Sequence, residues 1–289
     1  MDMDADSERM VVLARSGWQV SPDGDPRTWH GEETAGSPNW LSRPESIALG
    51  KEAVFILEPQ RSILSVWDMT GARLGEVWIP RRRDLAQRAT RVIIGPAGRP
   101  VVVLQGMDRD GTGYWEILEL NREGTVTGVV SIPTTEKTAI YQEPQLAVRG
   151  PALLALSTLS QELWAVDLEH GQLHPVAVRR APPLWPIPRE ERRKHDRILA
   201  RMSGAMASLA QLPDYWPPVR EFTFLGDGTI LQATSAGEAA VHIEQLNTRL
   251  EPLGRASLNG FSQSVFLARG RAFIAEERTE ETLVYEILF

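Results

Sequence analysis

Cysteine is absent from the chain, which excludes disulfides, thiolate metal sites and cysteine nucleophiles while leaving the redox compartment open. No apolar run approaches the ~18 residues of a membrane-spanning helix. GxSxG, P-loop and Rossmann glycine patterns are missing as well, so acyl transfer of the usual kind and nucleotide chemistry have no anchor. The five histidines include no metal-type pair on a helix. His170 and His174 stand across a hairpin turn, where an i, i+4 spacing does not bring them to one helical face. Asp108, Asp110 and Gly111 in GMDRDGTGY begin like a calcium loop but lack its later acidic ligand, and Asp23 and Asp25 in SPDGDP read as turn formers. No metal and no cofactor are therefore expected. Positive charge is in deficit: 31 Lys and Arg stand against 38 Asp and Glu, a net of -7. The molecule as a whole repels nucleic acid and anionic membrane, and any such binding would have to be local.

The start, MDMDADSERM, is acidic where a signal peptide is basic and then apolar. If Met1 is the native start the chain is expected in the cytoplasm; if an export signal has been removed, outside it. Residues 1 to 9 read as a disordered acidic lead. MVVLA from Met10 is an orphan strand, and the Gly, Pro and Asp-rich stretch up to Arg43, with Trp18, Trp29 and Trp40, is a long aromatic-pinned loop.

What the chain has in quantity is repetition. Of 289 residues 42% are hydrophobic and 24% charged, ordinary for a folded, soluble protein with apolar material to bury. From Pro44 to Pro80 four short apolar runs, Ser46 to Leu49, Ala53 to Leu57, Ile63 to Asp68 and Leu74 to Ile79, are joined by turn signals. Later segments repeat this unit from Val92, Leu146, Phe222 and Val265. Gly71, Gly124 and Gly171 mark one turn in the first three units, and Asn247 with Thr248 stands there in the fourth. The last unit has three strands. An N-terminal strand that completes it would close a ring and remove the sheet edges an open array leaves. The expectation is one all-β domain over residues 1 to 289: a β-propeller of four-stranded blades, five recognisable and a sixth possible within residues 15 to 43.

The stretch from Tyr215, YWPPVREFTFLGDGTILQATSAGEAAVHIEQLNTRLEPLGRASL, with the closing LVYEILF, resembles bacterial six-bladed β-propeller proteins related to the NHL-repeat group. That resemblance implies a Pro-bounded helical insertion before a blade, and it adds little about activity. Residues 181 to 218 fit the insertion. REERRKHDRILARMSGAMASLAQL places Ile198, Met202 and Met206 at helical spacing, and the stripe is expected to pack on the propeller.

The insertion, Pro80 to Thr90, Pro133 to Pro144 and the N-terminal loop all connect an outer strand to the next inner one, so they share a face, and long loops on a rigid scaffold are where binding usually sits. Two basic clusters lie there: Arg81 to Arg91 carries a net excess of +4 and Arg179 to Arg201 of +5. The function expected is a non-catalytic protein-binding or scaffold module using Arg81, Arg82, Arg83, Trp185, Arg192, Arg193, Met202, Met206, Tyr215 and Trp216. A propeller enzyme of the metal-dependent lactonase or lyase kind, with Glu45 near its central channel, is the alternative. A subunit of a larger assembly is a third reading.

Overall fold

A computed structural model describes residues 2–5, 9–14, 17–22, 30, 40–80, 86–107, 113–132, 134, 143–158, 160–180, 185–201, 215–216, 219–235, 240–259, 265–268, 270–277 and 282–287. The first blade is β1 (Asp2–Ala5), β2 (Arg9–Ala14) and β3 (Gly17–Pro22). The second is β4 (Ser46–Leu49), β5 (Val54–Glu58), β6 (Ile63–Trp67) and β7 (Arg73–Trp78). The third is β8 (Ala86–Ile94), β9 (Pro100–Met107), β10 (Gly113–Leu120) and β11 (Val126–Ile132). The fourth is β12 (Gln145–Arg149), β13 (Ala152–Leu156), β14 (Glu162–Asp167) and β15 (Gln172–Val178).

A two-residue ladder, β16 (Trp185–Pro186) with β17 (Tyr215–Trp216), closes the base of the insertion that carries helix α1 (Arg189–Leu199). The fifth blade is β18 (Val219–Phe224), β19 (Ile230–Ser235), β20 (Ala240–Leu246) and β21 (Pro252–Asn259). The sixth is β22 (Val265–Ala268), β23 (Arg271–Glu277) and β24 (Thr282–Ile287). Every sheet is a meander of sequential antiparallel strands, and together they make a six-bladed β-propeller.

The core is distributed between blades. Among the described residues six buried clusters occur, one at each blade-to-blade interface, because both faces of an inner sheet are covered. Val101 and Val103 pack toward the fourth blade while Val102 and Leu104 pack toward the second. That explains VVVL: a strand buried on both faces reads as a continuous apolar run and not as an alternation. The outermost strands are half-solvated; β15 shows no buried residue.

Three expectations for the N-terminus change. Residues 2 to 5 are strand, not disordered lead, because DMDA alternates: Met3 and Ala5 are buried against Phe266, Ala268 and Phe273 of the sixth blade. Nor, among the described residues, does an N-terminal strand complete the last sheet. The orphan strand becomes β2, the centre of a separate first blade, and the ring closes by packing β1 against β22. The expected long loop begins later than Ala14, since Trp18 lies in β3, fully buried, with its backbone paired to His30.

The turn between third and fourth strands is built the same way three times. Asp68, Asn121 and Asn247 each accept two backbone N–H bonds through one side-chain oxygen, from Thr70 and Ala72, Glu123 and Thr125, and Arg249 and Glu251. The residue three positions on takes a left-handed backbone: Gly71 at φ 89°, Gly124 at 80° and, where glycine was expected to be replaced by Asn247 and Thr248, Leu250 at 63°. Asn247 is thus the counterpart of Asp68, and Leu250 that of the glycine.

Candidate functional site

Inner strands leave their channel-facing N–H groups without a ladder partner, and a buried unpaired N–H is costly. The propeller solves this with side chains from the preceding blade. Ile47 N–H and Leu49 N–H donate to Asp2 Oδ2 and Asp4 Oδ2, each at 2.8 Å. Val92 N–H donates to Ser46 Oγ at 3.1 Å, Leu267 N–H to Glu221 Oε2 at 2.6 Å, and Gly270 N–H to Thr223 Oγ1 at 2.7 Å. The channel is polar because its own edges demand acceptors.

Within that lining lies a cavity of about 800 Å³ bounded by the inner strands and by the turns that follow them, Gly50 and Lys51, Gly95 to Gly98, Gly150, and Gly226 to Gly228. Those turns sit at the opposite ends of the inner strands from the connections that carry the insertion. Among the described residues four carboxylates, Asp2, Asp4, Glu221 and Asp227, and four cations, Arg9, Lys51, Arg91 and Arg149, line it.

The charges form two tiers. In the inner tier Arg91 Nη2 lies 3.8 Å from Glu221 Oε1, with the two side chains 24% and 14% exposed. Burial pushes the Glu221 carboxyl up to about 7, the charge of Asp2 adds to that, and Arg91 and the Leu267 N–H oppose it. Burial also works against the Arg91 charge, but Glu221, Glu143 and Asp2 outweigh it and hold the guanidinium above its ordinary value. Arg220, half-buried beside Glu221, is lowered by burial.

At the mouth Asp4 is committed to the backbone through both oxygens, to Ala5 N–H and Leu49 N–H. Asp227 accepts from Thr229 through its N–H and hydroxyl, which holds its carboxyl below the usual range. Arg9 reaches across to the Lys51 carbonyl at 3.1 Å. Arg149 lies 5.6 Å over the Phe224 ring and beside Gly228 at φ 84°, where a Cβ would collide with its guanidinium. Among the described residues neither Lys51 nor Arg149 has a carboxylate partner.

The residues expected to act lie elsewhere. Arg81, Arg82, Arg83, Met202 and Met206 are outside the described residues. Trp185 pairs with Trp216, and Pro186 with Tyr215, through the backbone. Arg192 is half-buried and Arg193 exposed on α1. No residue of α1 is buried and Ile198 is 57% exposed, so this part of the apolar stripe does not pack on the propeller as expected. Within α1, Lys194 lies 3.7 Å from Glu190, one turn earlier.

Glu45 is taken up by Arg88 at 2.6 Å. Arg91 leaves the basic loop altogether, since β8 extends back to Ala86 and carries it into the channel. His170 and His174 gather around Asp167 at the outer hairpin, the first at 2.9 Å. Sequence reasoning missed Asp2, Asp4 and Glu221. The alternation in DMDA and the single charge in each of EFTF and RVII were the available signals.

Among solved structures the chain resembles a putative exported protein of Bacteroides fragilis at 8% identity, over 94% of this chain and 78% of that one, with TM-score 0.57. It is similar to a gluconolactonase of Xanthomonas campestris at 13% identity, over 92% and 78%, with TM-score 0.53. A likeness to virginiamycin B lyase of Staphylococcus aureus spans 100% of this chain and 84% of that one at 10% identity and TM-score 0.50. At such identities the likeness is one of fold, and the six-bladed β-propeller expected from the resemblance stands at that level. No protein-family model and no curated protein matches the chain.

Proposed function

We propose that the chain is a ligand-binding propeller whose site is the central channel. The observation that carries this reading is the cavity of about 800 Å³ into which, among the described residues, four carboxylates and four cations converge from five blades. Its volume falls in the range of small-molecule sites, roughly 300–1,000 Å³. Binding is favoured over catalysis because the carboxylates spend acceptor capacity on holding the ring: Asp2, Asp4 and Glu221 each take a backbone N–H of the neighbouring blade. In kinship the proposal stays with the NHL-like bacterial propellers.

The test is a thermal-shift screen of polar metabolites against the intact protein and an Arg91→Gln variant. Compounds that raise the melting temperature of the first and lose that effect in the second support the channel. Compounds that stabilise both equally place the site elsewhere and sink the reading.

Protein docking through the insertion is the second reading, favoured by the exposure of α1 and of Ile198. Its contacts would be Arg81, Arg82, Arg83, Trp185, Arg192, Arg193, Met202, Met206, Tyr215 and Trp216. Replacing residues 189 to 214 by a short Gly/Ser turn separates the two readings, because ligand stabilisation through the channel survives that change and insertion-dependent docking does not.

A further inference from the structure

The two tiers of channel charge differ in sign. Among the described residues, Asp2 and ionised Glu221 against Arg91 leave the inner tier with one negative charge, and Arg9, Lys51 and Arg149 against Asp4 and Asp227 leave the mouth with one positive charge. The excess is more polarised than the count suggests. Mouth carboxylates are already occupied by backbone N–H groups, whereas Lys51, on the turn after β4, and Arg149, the last residue of β12, have no carboxylate partner among the described residues. The inner carboxylates each spend one oxygen on the ring, through Ile47 and Leu267.

From Asp2 to Asp4 along β1 the tiers are two residues apart, about 7 Å at the rise of an extended strand. A ligand with a carboxylate at one end and an ammonium at the other, spaced by that length, would complement both tiers at once. A simple anion would meet Lys51 and Arg149 but place nothing on Asp2 and Glu221, and a simple amine would do the reverse.

Resting on the channel-binding reading, we infer that the ligand is a zwitterion with separated charges, its carboxylate held at the mouth by Lys51 and Arg149 and its ammonium held at the inner tier by Asp2 and Glu221. The groups facing Glu221 are Asp2 of β1, Arg91 of β8 and Arg220 of β18, and Arg91 is in turn faced by Glu143, before β12. Its carboxyl gains charge as pH rises through about 7, so ammonium binding strengthens in the same direction.

The probe is 6-aminohexanoate, with hexanoate and hexylamine as single-charge controls and glycine as a short zwitterion, all measured by calorimetry on the full chain. Expected is binding of 6-aminohexanoate about tenfold tighter than either control and than glycine. It should weaken about fivefold or more in Lys51→Met, Arg149→Met and Glu221→Gln, and be stronger at pH 8 than at pH 6. Lys51 and Arg149 are exposed, so their variants keep the fold, which an unchanged melting temperature verifies. Equal binding of hexanoate, or no binding of 6-aminohexanoate at millimolar concentration, overturns the inference. Metabolite hits that are neutral or singly charged yet still depend on Arg91 would overturn the zwitterion while leaving channel binding intact.

Discussion

Glu221 is the residue whose chemistry is most altered by its place. Burial and the charge of Asp2 raise its carboxyl from 4.5 to about 7, so the folded chain holds this proton more tightly than the unfolded one. The stability from that difference is fully present below the unfolded value and is lost as pH rises through about 7. At about 1.4 kcal/mol per unit the loss is at most about 3 kcal/mol. Glu221→Gln removes the titration while its amide oxygen can still accept the Leu267 N–H, and Arg91 keeps Glu143 and Asp2. Wild-type melting temperature should therefore fall between pH 5 and pH 8 more steeply than that of the variant, with the variant the more stable at pH 8 by a few degrees. Parallel curves from differential scanning calorimetry would mean that Glu221 is solvated as well in the fold as outside it.

At the scale of the element, the repeated turn sets backbone strain against packing. Leu250 takes the left-handed conformation that Gly71 and Gly124 take in the sister turns, at a cost of about 1 kcal/mol for a residue with a side chain. It is also 2% exposed and packed among Leu246, Phe224 and Ile230. Removing a buried leucine side chain costs about 2–5 kcal/mol, so packing wins. Leu250→Gly should destabilise by about 2–3 kcal/mol even though it restores the repeat's own residue. Urea unfolding checks this, and a midpoint that rises would show that strain outweighs packing.

This turn also shows what made the blades legible. Ser46–Leu49 forms a strand where turn residues and apolar runs placed it, and Val92, Leu146, Phe222 and Val265 all lie on inner strands of their blades, because hairpin chemistry and side-chain burial are local. The counterpart of the glycine in the fifth blade was not legible. Leu250 looks like any core leucine until the Asn247 turn fixes its backbone.

The channel is a property of the whole ring, which is why so little of it could be read in advance. Asp2, Arg91, Glu221 and Arg149 come from four blades, and only closure brings them to one cavity. Closure itself depends on β1. Among the described residues no shared sheet joins the first and sixth blades; Met3 and Ala5 packed on Phe266, Ala268 and Phe273 hold them together. On the other side Asp2 and Asp4 tie β1 to the second blade through two charge-assisted hydrogen bonds. Deleting residues 1 to 5 removes the burial of Met3 and both carboxylates, together worth about 5 kcal/mol. It should lower the melting temperature by on the order of 10 °C, and newly exposed Phe266 and Phe273 should bind a hydrophobic dye. Asp2→Ala with Asp4→Ala keeps the apolar contact and loses only the hydrogen bonds, so its melting temperature should lie between wild type and the deletion. An unchanged melting temperature in the deletion would return these residues to the status of an acidic lead. A drop in the deletion with none in the double substitution would assign closure to packing alone.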